Sequence, residues 1–210
     1  MTSSAFSDLT GRLHEVRLLC QLDPLRSGDL DQLNTTNAIN RACIILLSAH
    51  LEGFLEDLVV EAIDALVDGT AKVEQLPLVF RALHAEEHLR VIEPIKDRKA
   101  RAPRIEQMFK GESELWLAGK PLQATMVRAK MVCGEMTNPG SREIRQFLEL
   151  LGVDIELCLA ITGKDELLNQ INGLVGRRNA IAHGEVNASA TSTDVDNYRI
   201  SSPRDSIGPD

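Results

Sequence analysis

Three observations predict an all-α fold, an up-and-down helical bundle of four to five main helices. Apolar residues recur at intervals of three and four in several separate segments, the spacing of one helical stripe. Proline, glycine and clusters of small polar residues punctuate the chain between those segments. The 210 residues also show one composition regime, 43% hydrophobic and 26% charged, which suits a single soluble domain with a sizeable core. A helical domain over residues 1–186 is therefore expected, followed by a polar tail, 187–210, that is unstructured or truncated; within it Thr193-Asp194-Val195 looks like a helix start, which Ser201-Ser202-Pro203 stops.

The first helix lies between Phe6 and Cys20, where Phe6, Leu9, Leu13, Val16 and Leu19 make the stripe and His14 falls on the polar side. Asp23-Pro24 and Ser27-Gly28 then read as turn chemistry, and Asn34, Thr35 or Thr36 can cap the next helix. That helix, from about Asn37 to Val67, is the mast of the bundle. Its broad apolar face runs through Ile39, Cys43, Leu47, Phe54, Leu58 and Ile63, with Gly69 beyond its end. His50 falls on this face and reads as a hydrogen-bonded core histidine, while Glu52 lies on the other side.

Pro77 opens a third helix that reaches Ile92. His84 and His88 are four apart within it, the spacing of two metal ligands. Yet HAEEH lacks the glutamate that directly follows the first histidine in the HExxH zinc pattern, so exposed polarity and no metal are expected. Lys96, Arg98, Lys99, Arg101 and Arg104 make the next stretch the most basic of the chain. Pro94 and Pro103 interrupt it, which predicts a flexible loop, either solvated or touching a phosphate backbone.

A short helix at Ile105 to Phe109 and an anchoring Trp116 follow, and Leu122 to Val132 resists assignment. Asn138-Pro139-Gly140-Ser141 is a turn ending in a cap. The helix it opens buries Ile144, Phe147, Leu148 and Leu151, stops at Gly152, and gives way to an apolar stretch from Ile155 to Ile161. Gly163 to Asp165 leads into the last strong element, LLNQINGLVGRRNAIAHGE, Leu167 to Glu185. Leu168, Ile171, Leu174, Val175 and Ile181 give this helix its stripe, and Gly184 is suited to a left-handed stop.

The polar cluster in its last turns carries the chemistry. At about 100° per residue, Asn179 and His183 share a face, and Arg178 reaches round to it on its long stem. A guanidinium offers a planar fork to phosphate oxygens, and an imidazole can move protons to or from a hydroxyl. Attack on a phosphodiester needs those groups and no metal. The plainer reading is structural: cations near a helix C-terminus complement its dipole, and a histidine before a capping glycine can bond the last carbonyls.

Composition narrows the function classes. Four cysteines, Cys20, Cys43, Cys133 and Cys158, show no zinc or disulfide spacing, and Cys43 and Cys158 read as small core residues. The longest apolar run, Ala42 to Ala49, is far short of the ~20 residues a membrane span needs. The N-terminal residues show no secretory signal, so a cytoplasmic protein with no membrane partner is expected. A net charge of −8 argues against a broad nucleic-acid coating surface and leaves room for a local basic site. Aromatics at 3% make base stacking a minor source of affinity.

RNAIAHG, Arg178 to Gly184, resembles the arginine, four-to-six-residue, histidine signature of the HEPN superfamily, and SAHLEGFLEDL, Ser48 to Leu58, resembles the long earlier helix of its RiboL-PSP and MAE-type subfamilies. The resemblance implies an all-helical HEPN-like fold and a homodimer in which two copies of the motif meet. It implies a metal-independent endoribonuclease, without cofactor, that cleaves RNA through the substrate's own 2′-hydroxyl as a toxin or phage-defence effector. A cognate antitoxin or a neighbouring defence protein would be its partner. Carried onto this chain, it makes Arg178, Asn179 and His183 catalytic: His183 moving the proton, Arg178 holding the phosphate and Asn179 orienting either. Arg177 would add positive field and Glu52 would sit near the motif, both on the substrate-binding side. The alternative from another class is a non-catalytic helical module that binds RNA or a protein through the same surface.

Overall fold

Helix formation starts where a side chain first satisfies a free backbone N–H. Ser3 Oγ accepts from Phe6 N–H at 3.1 Å, and α1 runs from there as Ser4–Gln21. The computed structural model describes residues 3–24, 32–133, 138–162, 166–185 and 188–198. Across these the chain is all-α, with no strand among the described residues and one isolated antiparallel bridge between Lys72 and Pro121. After α1 come α2 (Leu33–Asp68), α3 (Leu78–Ile92), α4 (Arg98–Glu112), α5 (Ala129–Cys133), α6 (Ser141–Leu150), α7 (Ile155–Thr162), α8 (Leu167–Ala182) and α9 (Ser192–Tyr198). The expected turn at Ser27-Gly28, the step at 163–165 and the stop at Ser201-Ser202-Pro203 lie outside the described residues.

Two compact units make up the chain: Met1–Asp57 with Asn138–Arg142 and Thr162–Asp210, and Leu58–Thr137 with Glu143–Ile161. The core of the first is Val16 and Cys20 of α1, Cys43, Ile44 and Leu47 of α2, Leu174 and Ile181 of α8, and Ala190 and Val195. These are stripe positions, brought out of water by three amphipathic faces that have nowhere else to bury their apolar area.

Helix α2 is the long mast expected, but it starts earlier, so Asn34, Thr35 and Thr36 lie inside it instead of capping it. Thr36 is buried and donates from Oγ1 to Asp23 Oδ1 at 2.6 Å, while Ser192 Oγ donates to Asp23 Oδ2 at 2.8 Å. The tertiary partner competes with the local capping bond and wins. His50 departs from its expectation too. It is half-buried on α2, its Nε2 lies 3.7 Å from Glu15 Oε2, and that nitrogen has no hydrogen bond. Burial lowers its pKa, opposed by Glu15 and reinforced by Arg12.

The polar tail also orders further than its composition suggests. Thr191 and Asp194 cap α9 reciprocally: Thr191 N–H donates to Asp194 Oδ2 at 2.8 Å, and Asp194 N–H donates to Thr191 Oγ1 at 3.1 Å. Val195 is fully buried in the first core, and Tyr198 packs against it. Gly173 makes room, since a Cβ there would stand 2.8 Å from Tyr198 Oη.

In the second unit the basic stretch expected to be a loop is helix from Arg98 onward. Asp97 Oδ2 accepts from Ala100 N–H at 2.9 Å and starts α4, which then accommodates Pro103. His84, expected at the surface, is fully buried. Leu115 is the buried anchor, whereas Trp116 stays 46% exposed with the Arg81 guanidinium 5.3 Å from its ring centre. The stretch from Leu122 to Val132 that resists assignment holds a three-residue 3-10 turn, Ala124–Met126, and the start of the five-residue α5, and Leu122 N–H donates to the Ala71 carbonyl at 2.7 Å. Cys158 of α7 is exposed and Leu159 takes the buried position beside it.

Candidate functional site

The site residues sit at the end of α8. Leu168, Leu174, Val175 and Ile181 of that helix are buried, which fixes its rotation and turns the remaining positions outward. The helix stops because Gly184 adopts φ +69°, a conformation that L side chains rarely take. Gly184 N–H then bonds the Ile181 carbonyl and Glu185 N–H the Ala180 carbonyl, both at 3.1 Å, the Schellman pairing that satisfies carbonyls left over at a helix end. His183 is the residue immediately before this stop, and its side chain is exposed.

Asn179 links the two ends of the motif. Its Oδ1 accepts from Arg178 Nη1 at 3.1 Å, and its backbone carbonyl accepts from His183 N–H at 2.9 Å. Residues one turn apart have Cβ atoms about 5–6 Å from each other, so the Asn179 amide and the His183 ring share a face. The bond to Asn179 draws the Arg178 guanidinium round the helix toward that face, though Arg178 and His183 share no hydrogen bond with each other. Arg178 and Asn179 are half-buried, leaving their polar ends within reach of a ligand.

Arg177 is placed elsewhere. Its Nη1 donates to the Ser189 carbonyl and its Nη2 to Asp194 Oδ1, each at 2.8 Å. Both ends of the fork are occupied in holding the start of α9, so its charge is partly neutralised by Asp194. Glu52 Oε1 accepts from Asn138 N–H at 3.1 Å. Asn138 has φ +56°, a turn conformation that asparagine tolerates better than most residues. The same turn is held from α8, where Asn172 Oδ1 accepts from Ser141 N–H and Asn172 Nδ2 donates to Ser141 Oγ, each at 2.8 Å. Glu52 and Asn172 therefore position the 138–141 turn in the first unit.

Thr191-Ser192-Thr193-Asp194 ahead of Val195 fits the capping-box spacing, a signal that could have found Thr191 and Asp194. No sequence pattern marks Asn172 as a turn holder. The histidine pair of α3 is resolved by burial: His84 Nδ1 meets the Phe80 carbonyl at 3.0 Å, and its Nε2 accepts from Arg128 N–H at 3.1 Å. That assigns the Nδ1–H tautomer and leaves no lone pair for a metal. Burial pushes the His84 pKa down, an effect that the Phe80 carbonyl and Glu112 only partly offset. Among the described residues no group of three or more His, Cys, Asp or Glu side chains comes together to hold a metal ion, and no helix is long and apolar enough to cross a membrane.

A model of the family described as RiboL-PSP-HEPN matches residues 7–201 of the chain. No curated protein and no solved structure matches it.

Proposed function

This chain belongs to the RiboL-PSP-HEPN family, and from that premise we propose that it is a metal-independent endoribonuclease. Membership points to RNase-type or nucleotide-related chemistry; the residues at the end of α8 support the first. The observation that carries the reading is the Arg178 to Asn179 bond at 3.1 Å one turn before the exposed His183. In it a guanidinium bonded to an amide stands one turn before an exposed imidazole at the same helix end.

Arg178 holds the non-bridging oxygens of one phosphodiester and meets the charge that grows on them in the transition state. His183 takes the proton of the substrate's 2′-hydroxyl or returns one to the leaving 5′-oxygen, and a second copy of the motif in a homodimer supplies the complementary step. Attack of that oxygen on phosphorus breaks the bond to the 5′-oxygen and leaves a cyclic phosphate. Asn179 orients Arg178. Arg177 and Glu52 are assigned to the frame around the site, not to substrate. The biological setting that fits is a toxin or phage-defence effector restrained by a partner protein.

Purified protein should cut single-stranded RNA in EDTA, and His183→Ala should keep its circular dichroism spectrum and cut nothing. RNA bound tightly but left whole by wild type would assign the chain to the non-catalytic alternative instead.

A further inference from the structure

We propose that the second unit carries a separate phosphate-binding site, which takes the backbone of single-stranded RNA at α4 and the cavity beside it. The proposal rests on the ribonuclease reading for the identity of the polyanion, and on the following geometry for the site.

A cavity of about 180 Å³ is lined by Glu87, His88, Arg104, Gln107 and Arg128, with Val91 and Ile92 as its apolar wall. Two of its lining side chains are held from behind by Glu112. Glu112 is 7% exposed, and a carboxylate so buried needs donors; it accepts from Arg128 Nη2 at 2.5 Å and from His88 Nε2 at 3.2 Å. Arg128 is further tied by Nη2 to the His84 carbonyl at 3.3 Å and by its backbone N–H to His84 Nε2. The guanidinium is thus held in place without help from a ligand, while Nη1 touches only Glu87 Oε2 at 3.3 Å. That carboxylate is 63% exposed, and so open an ion pair is weak enough for a phosphate to displace.

Arg104 faces the same cavity from α4 and is scarcely held, its Nη1 lying 3.5 Å from Gln107 Oε1. Two guanidiniums and the Gln107 amide around one cavity form a donor set for a tetrahedral oxyanion, with the displaceable Glu87 carboxylate beside them. The volume is below the ~300 Å³ at which whole small-molecule pockets begin, so one phosphate group enters and its sugar and base stay outside.

The row leading to the cavity indicates a chain of phosphates. Arg98, Arg101 and Arg104 follow at three-residue steps, about 4.5 Å of rise each, and all are exposed with no carboxylate partner among the described residues. Lys96 and Lys99 lie beside them, so that five of the 23 lysines and arginines fall within nine residues of a chain whose net charge is −8. Mutual repulsion makes this row a cost to the fold, which a polyanion relieves.

The test uses the full chain and a fluorescein-labelled 2′-O-methyl oligouridine, which cannot be cut by 2′-hydroxyl attack. Anisotropy titrations across salt give the affinity and its salt slope. Arg101→Gln with Arg104→Gln should weaken binding at least tenfold and flatten the slope by roughly 1.4, the loss of about two single-strand phosphate contacts. Gln107→Glu, nearly isosteric and placed in the cavity, should weaken binding alone. Unchanged affinity and slope in both variants, or no binding by wild type, overturns the proposal. So does preference for anionic lipid vesicles over the oligonucleotide, abolished by the same arginine changes. Loss of the ribonuclease reading is separate: wild type that leaves unmodified RNA whole, yet shows the predicted slopes, removes the reading and keeps this site.

Discussion

Arg177 Nη2 and Asp194 Oδ1 are joined at 2.8 Å, and the same aspartate caps α9 through its other oxygen. The pair therefore fastens α9, whose Val195 belongs to the first core, to the helix that carries the candidate site. Arg177→Ala should lower stability by about 1 kcal/mol, the scale of a partly buried ion pair with an added carbonyl bond. A fall of roughly 2–4 °C in melting temperature checks it. RNA cleavage by the variant at 25 °C should stay close to wild type, and a loss as deep as that of Arg178→Ala would return Arg177 to the substrate set.

Asn179 is expected to act through Arg178. Arg178→Ala should abolish detectable cleavage, while Arg178→Lys keeps the charge but loses the fork and should stay at least ~100-fold down. Asn179→Ala releases the guanidinium from its 3.1 Å bond and should raise KM for RNA more than it lowers kcat. Equal loss in kcat and kcat/KM would instead give Asn179 a transition-state contact of its own.

At Gly184 the backbone has φ +69° with nothing within 4 Å of an added Cβ. Gly184→Ala thus probes backbone strain without a clash, and should cost about 1 kcal/mol and fray the turn that presents His183. A urea midpoint equal to wild type would show that the left-handed stop is dispensable.

Acid should weaken the fold through buried imidazole. His84 and His50 both bind a proton less readily in the native state than in the unfolded chain, chiefly because burial penalises the cation. The unfolded state takes up more protons as pH falls, so this contribution is complete above about pH 6.5 and is lost as pH drops through the lowered native values. The urea midpoint should decline from pH 7 to pH 5, and His84→Gln, whose amide can replace both ring hydrogen bonds, should decline less. Parallel curves for the two proteins would place the sensitivity elsewhere.

Where stripe and breaker agreed, the chain was legible. The α8 pattern of Leu168, Leu174, Val175 and Ile181 with Gly184 after it predicted a buried face and a stop, and both are found. Three of the departures come from partners distant in the chain, and one from a local cap that the prolines obscure. Thr36 looked like a cap and became a buried donor to Asp23. Prolines suggested a loop at 95–104, but Asp97 capped a helix through it. Arg177 and Arg178 are adjacent and alike in type, and it is the Ser189 carbonyl and Asp194, 12 and 17 residues further on, that tie down the first. His84 and His88 resembled surface polarity because Glu112 and Arg128, which organise them, come much later.

In the proposed reaction Arg178 and His183 drive the RNA's own 2′-hydroxyl against the adjacent phosphodiester. Mass analysis of the ends formed from single-stranded RNA in EDTA tests this most directly. Fragments ending in 2′,3′-cyclic phosphate and 5′-hydroxyl, with no cut where the 2′-hydroxyl is methylated, are the predicted result. Ends bearing 5′-phosphate, cleavage at 2′-O-methyl positions, or cutting that survives in His183→Ala would contradict it.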